Sequence, residues 1–117
     1  MEKNLQTLSN SKNELVTNGQ IIEAAEQYFA SKVKTIDFDG TVTEGKGATM
    51  EKLRGFVSSI QKVNSIVLLR SASYHNVSFS EYIFSFQMKD GSQIYWHEII
   101  RSLWEYGQIV EEQYFKG

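Results

Sequence analysis

Apolar and polar positions alternate along this chain with two different periods, and the change between them divides it in half. In the first half the period is helical. Leu5, Leu8, Lys12 and Leu15 fall at steps of three and four, which predicts an amphipathic helix from about Asn4 to Val16. Asn18-Gly19 ends it. Thr17 and Gln20 have the spacing of a capping box for a second helix, in which Ile22, Ala25 and Phe29 share a face. A short strand is expected over Lys34–Phe38, then a loop over Thr43–Gly47. Met50, Leu53, Val57, Ile60 and Val63 mark a third helix, with Gly55 inside it as a point of close packing.

After Asn64 the period becomes two. Ile66–Tyr74, Val77–Met88, Gln93–Trp104 and Gln108–Phe115 are rich in β-branched and aromatic residues and read as four antiparallel strands. Lys89-Asp90-Gly91 and Glu105-Tyr106-Gly107 each place glycine third, which suits three-residue hairpin loops with a left-handed last residue. Such loops set Phe86 opposite Ile94, Phe84 opposite Trp96 and Tyr82 opposite Glu98. In the second hairpin they set Trp104 opposite Gln108, Ser102 opposite Val110, Ile100 opposite Glu112 and Glu98 opposite Tyr114.

That register sorts the residues by face. Tyr82, Phe84, Phe86, Ile94, Trp96, Ile100, Trp104, Val110 and Tyr114 share the face taken as inward, with two carboxylates, Glu98 and Glu112, among them. Glu81, Ile83, Ser85, His97, Ile99, Arg101, Leu103, Glu111 and Phe115 share the outward face, where Arg101 stands opposite Glu111.

Composition narrows the function classes. A chain of 117 residues, with 41% apolar and 13% aromatic residues, is expected to form one domain over residues 1–117 with a single core. The 12 basic and 14 acidic residues are scattered, which gives no footprint for a nucleic-acid partner. Without cysteine there is no disulfide framework or thiolate metal site, and two histidines are too few for a histidine-rich centre. A site of histidine plus carboxylate stays open by residue type, but no cofactor or metal is expected. No apolar run approaches the ~18 residues of a membrane span, and no signal-peptide core stands at the N-terminus. A cytoplasmic location without membrane partners is the expectation.

Two motifs bear on chemistry. Thr35-Ile36-Asp37-Phe38-Asp39-Gly40-Thr41-Val42 spells the first motif of the haloacid dehalogenase-like phosphatases, in which the first aspartate is a nucleophile toward phosphate. The partner acids are missing: the only other aspartate, Asp90, belongs to a turn. The second half reads as hairpins rather than the parallel βαβ units that chemistry needs, so this reading is set aside.

The second motif set spans nearly the whole chain. It comprises Gly45-Lys46-Gly47-Ala48 opening the third helix, then Phe84-x-Phe86-x3-Asp90-Gly91. Trp96-x-Glu98-x5-Trp104-x2-Gly107-x-Ile109-Val110-x-Glu112-x-Tyr114-Phe115 completes it. With the element order, this resembles the nuclear transport factor 2-like superfamily and its SnoaL-like, polyketide cyclase-like branch. The resemblance implies an α+β fold in which a cone-shaped, curved antiparallel (mixed) sheet wraps three N-terminal helices around an internal pocket. It also implies homodimers packed through the outer sheet face. Asp37 falls near the base of the related ketosteroid isomerases, but Asn13 and Ile100 stand where their oxyanion-binding Tyr and Asp belong. Ordinary steroid isomerisation is therefore not expected. The Asp–Arg–Asp set of the limonene epoxide hydrolases has no match either.

Glu98 is the foremost site candidate. An inward mid-strand carboxyl must find partners or take up a proton, and a raised pKa suits a general acid or base. Alternatively it hydrogen-bonds Tyr114 or Tyr82 and fixes the core. Glu112 has the same two readings, and Asp37 is either a base at the pocket mouth or a turn cap. Tyr82, Phe84, Trp96, Ile100, Trp104 and Tyr114 are the expected pocket wall. Arg70 is a cross-strand ion-pair partner or an anion site, and His97 a surface or interface residue. Two functions stay open. One is metal-independent acid–base chemistry (isomerase, cyclase, lyase or hydrolase) on a small apolar carbonyl compound. The other is a non-catalytic binding or assembly module with the same pocket.

Overall fold

A computed structural model describes residues 4–117. The Asn4 side chain accepts from the Gln6 N–H and opens α1, Leu5–Thr17; α2 is Ile21–Tyr28. Strands β1, Phe29–Ile36, and β2, Val42–Glu44, form a small hairpin before α3, Lys46–Ser58. Four long strands follow: β3 (Ile60–Tyr74), β4 (Val77–Met88), β5 (Gln93–Glu105) and β6 (Gln108–Lys116). The six strands lie in one mixed sheet of order β2-β1-β6-β5-β4-β3, antiparallel except that β1 runs parallel to β6.

The expected cone is not what forms. The sheet is neither closed nor strongly curled, so the cone-shaped element of the sequence reading is corrected to an open sheet with two free edges. The topology gives the reason: β2 and β3 stand at opposite ends of the strand order, and each has a single neighbour. A closed sheet requires its edge strands to hydrogen-bond to each other, and these do not.

Several local expectations change with it. The third helix stops at Ser58, because Ile60 and Val63 are taken into β3 opposite Met88 and Phe86. Ladder hydrogen bonds and β-branched side chains outweigh a three-residue spacing that only mimics a helix. Thr43 lies in β2, opposite Thr35, rather than in a loop. The capping box is not made: the Thr17 hydroxyl donates back to the Glu14 carbonyl, and Gln20 gives no side-chain cap. Gly55 is exposed, with nothing near the place of a Cβ, so close packing does not explain it.

The first hairpin has its three-residue loop, with Gly91 at φ 90°. In the second, Glu105 pairs with Gln108, leaving Tyr106-Gly107 as a two-residue loop with φ 53° and 76°. Positive φ at both positions is the signature of a type I′ turn. Alone this would flip every β6 side chain to the other face. A bulge between Leu103 and Trp104 shifts the register once more, so Ser102 meets Glu112 and Ile100 meets Tyr114. The two one-residue shifts add to an offset of two, so Glu112 and Tyr114 keep the inward face although their partners differ. Val110 is displaced by the bulge, and Ile109, fully buried opposite Trp104, takes the core position.

The inward face packs against the helices in two adjoining clusters. Tyr82, Phe84, Phe86 and Ile100 meet Val16 of α1 and Ala24 of α2. Trp104 and Ile109 meet Ala25, Tyr28, Val33 and Met50.

Candidate functional site

Between the helices and the inward sheet face lies a cavity of about 350 Å³. Val16, Ile21 and Ala24 form its helical side, and Phe84, Phe86, Trp96 and Ile100 form its sheet side. The Phe56 and Trp96 rings stack at 5.4 Å between centroids and 17° between planes. Of the sequence-derived wall residues, Phe84, Trp96, Ile100 and Tyr114 line this space. Tyr82 and Trp104 are buried outside its lining: the Tyr82 hydroxyl donates to Asn13 Oδ1, and Trp104 Nε1 donates to Ser78 Oγ. None of Trp96, Tyr82 and Tyr114 plugs it.

The two inward glutamates have different fates. Glu112 is buried and accepts three hydrogen bonds: Lys12 Nζ at 2.7 Å, Ser102 Oγ at 2.8 Å and Tyr114 OH at 2.7 Å. Its charge is therefore matched and its oxygens occupied. Glu98 also lines the cavity, yet its carboxyl has no hydrogen-bond or ion-pair partner among the described residues. The two tyrosines expected to hold it are engaged elsewhere, Tyr82 with Asn13 and Tyr114 with Glu112. Burial pushes the Glu98 pKa up from 4.5 to about 7, with the Glu112 and Asp37 charges adding to the rise and Lys12 opposing it. The same burial, reinforced by Glu112, holds the Tyr114 hydroxyl well above the ordinary phenol range, so it remains a donor.

Asp37 sits at the cavity mouth, ion-paired with Lys52 of α3. The turn cap here is Asp39, which accepts the Thr41 N–H at 2.9 Å; the aspartates of the phosphatase-like motif thus serve a β1–β2 hairpin at the edge of a mixed sheet. On the outer face Arg70 and His97 both bind Glu81, each at 2.6 Å. Arg101 reaches Glu111 diagonally, since its direct partner in the ladder is Gln113. Among the described residues no group of three or more His, Asp or Glu side chains is set to hold a metal, and no helix is long and apolar enough to cross a membrane.

Lys12 and Thr49 are among the wall residues not singled out from sequence. Lys12 carried a signal, a lysine on the apolar stripe of α1, which in a folded protein demands a buried partner. Thr49 gave none. It is buried in α3, contributes to the cavity wall, and its hydroxyl is unpartnered.

No family model matches the sequence, and comparison with curated proteins finds no match. Solved structures do match. A protein named as a SnoaL-like polyketide cyclase from Mesorhizobium loti superposes with a TM-score of 0.85 at 20% identity, covering 97% of this chain and 99% of the other. A protein of unknown function with the nuclear transport factor 2-like fold from Burkholderia pseudomallei gives 0.79 at 10% identity, covering 99% and 92%. A hypothetical protein of ketosteroid isomerase-like fold from Catenulispora acidiphila, solved with trimethylamine, gives 0.72 at 12%, covering 88% and 80%. At these identities the likeness is one of fold alone: the chain shares its fold with proteins named SnoaL-like, nuclear transport factor 2-like and ketosteroid isomerase-like.

Proposed function

We propose that this chain binds a small, mainly apolar organic molecule in the cavity and exchanges a proton with it through Glu98. The observation that carries this reading is the unpartnered Glu98 carboxyl in an apolar wall. A structural carboxylate is expected to be satisfied, as Glu112 is; one kept free in a cavity, with a pKa of about 7, is divided between acid and base near neutrality. The reaction class that fits is proton abstraction beside a carbonyl, with return of the proton to another atom (isomerisation) or attack by the resulting carbanion within the molecule (cyclisation). Glu98 would act as base and then as acid. The wall offers a ligand oxygen few donors, since Lys12 and Tyr114 are committed to Glu112 and Lys52 to Asp37. Asp37, held by Lys52, would position groups at the mouth, and Glu112 would anchor Lys12 and Tyr114.

The test is α-proton exchange. Wild type and Glu98→Gln are incubated in D₂O near neutral pH with small cyclic ketones, with and without an amino substituent, and followed by proton NMR. Exchange by wild type, lost in Glu98→Gln while binding persists, supports the reading. Binding without exchange in either protein would establish a non-catalytic binding module instead. Absence of both would sink the cavity as a ligand site.

The outer sheet face supports a homodimer as a further part of this proposal. Val67, Ile83 and His97 lie side by side across β3, β4 and β5, as do Ile99 and Phe115 across β5 and β6. Val67 and Phe115 are exposed. An apolar strip of this kind, interrupted by the His97–Glu81 pair and bordered by the Arg101–Glu111 pair, suits a self-complementary contact.

A further inference from the structure

The charges around the cavity are unequal. Its lining includes four carboxylates, Asp37, Asp39, Glu98 and Glu112, against two ammonium groups, Lys12 and Lys52. Both ammonium groups are already spent, Lys12 on Glu112 at 2.7 Å and Lys52 on Asp37. Two carboxylates, Glu98 in the wall and Asp39 at the rim, are left without a counterion, and no lining cation is free. The remaining cation nearby, Lys116, pairs with Glu98 in the ladder but turns its Nζ onto the Phe38 ring, 4.6 Å from the centroid. Phe38 itself lines the cavity, so its rim already holds a cation over an aromatic face. The stacked Phe56–Trp96 pair extends aromatic surface along the wall that carries Glu98.

We infer that the ligand of this cavity carries a cationic nitrogen on an apolar body, a protonated or quaternary amine, and that carboxylate- or phosphate-bearing molecules are rejected. This rests on the cavity being the ligand site, as proposed above. An anion entering would meet the uncompensated Asp39 at the solvent-exposed rim and then Glu98 in the wall, where the lower dielectric strengthens the repulsion. A cation would meet the ionised Glu98 and aromatic faces, which attract it through their quadrupoles. Its arrival favours the charged form of Glu98 and expels that proton, so affinity rises with pH through the neutral range and levels off above it. The other groups facing Glu98 do not reverse this sign. Lys12 and Glu112 compensate each other, as do Lys52 and Asp37, and the Tyr114 and Tyr82 hydroxyls, both raised by burial, stay neutral. Asp39, lowered by its hydrogen bonds to Thr41, stays ionised across the range.

The experiment compares three probes of similar size with wild type and Glu98→Gln: phenyltrimethylammonium, its neutral isostere tert-butylbenzene, and benzoate. Binding is read from tryptophan fluorescence and calorimetry between about pH 5.5 and pH 8, a window centred on the Glu98 titration. The expected result is phenyltrimethylammonium about tenfold tighter than tert-butylbenzene at pH 8, the scale of one such contact, with benzoate weakest. Its affinity should climb severalfold with pH, and calorimetry in buffers of different ionisation enthalpy should register proton release. Glu98→Gln should abolish the climb and the cation's advantage while tert-butylbenzene still binds. If tert-butylbenzene or benzoate matches the cation in wild type, the inference is overturned and the cavity survives as a ligand site. If no probe binds, the cavity reading fails and the inference with it. The isostere comparison in wild type decides the matter even if Glu98→Gln does not fold.

Discussion

Lys12 of the first helix and Glu112 of the last strand are joined at 2.7 Å, both buried, across 100 positions of sequence. This pair ties α1 to β6 and sets the electrostatics of the cavity, because its negative member raises the Glu98 pKa and its positive member lowers it. Removing one partner leaves a buried charge uncompensated. Lys12→Met is expected to destabilise the fold by roughly 3–5 kcal/mol, and Lys12→Met with Glu112→Leu to recover most of that loss. Urea melts of the singles and the double measure the coupling. Additive losses would mean that the two groups do not depend on each other.

Glu112→Gln should also move Glu98. With the second-largest cause of its upward shift removed, the Glu98 pKa is expected to fall from about 7 toward the ordinary carboxylate range. The ¹³C shift of the Glu98 carboxyl, followed against pH in both proteins, gives the answer.

The Glu98 titration makes stability depend on pH with a definite sign. Its folded pKa, about 7, lies above the ordinary value of 4.5, so the folded state holds the proton more tightly than the unfolded chain. Stability attributable to this group is full below about pH 4.5, declines as pH rises to about 7, and is constant above. Glu98→Gln removes the penalty. It should stabilise the protein by roughly 1–3 kcal/mol at pH 8 and have little effect at pH 4. Thermal melts of both proteins at the two pH values test this, and destabilisation at pH 8 would show that the ionised form is held by partners after all.

Tyr106 occupies a left-handed position, φ 53°, that asparagine and glycine adopt more readily, and its side chain is fully exposed. Tyr106→Asn should therefore stabilise the second hairpin by about 0.5–1 kcal/mol. An unchanged midpoint in urea would count against the turn assignment.

A dimer through the outer face should dissociate when a charge is placed in the apolar strip. Sedimentation is expected to give a dimer for wild type and a monomer for Ile99→Asp at micromolar concentration. A monomeric wild type would remove the proposal.

Much of this fold was legible because it is local. Alternation of period two located β4 at its observed ends, and Lys89-Asp90-Gly91 dictated the register that sets Tyr82 against Glu98. A turn type and a pleat need no knowledge of distant residues. Where local signals failed, a distant partner had decided. Ile60 and Val63 continued a helical spacing, but Met88 and Phe86 offered them a ladder. Glu105-Tyr106-Gly107 read as a three-residue loop, and only the folded hairpin showed a tighter turn compensated by a bulge. The open sheet likewise depends on which strands become edges, which the lengths and faces of single strands do not encode. The site divides in the same way. That Glu98 and Glu112 face inward follows from alternation. That Lys12 and Tyr114 satisfy Glu112 and leave Glu98 free follows from how α1 lies across the sheet, since a buried charge is settled by whichever partner tertiary packing brings within reach.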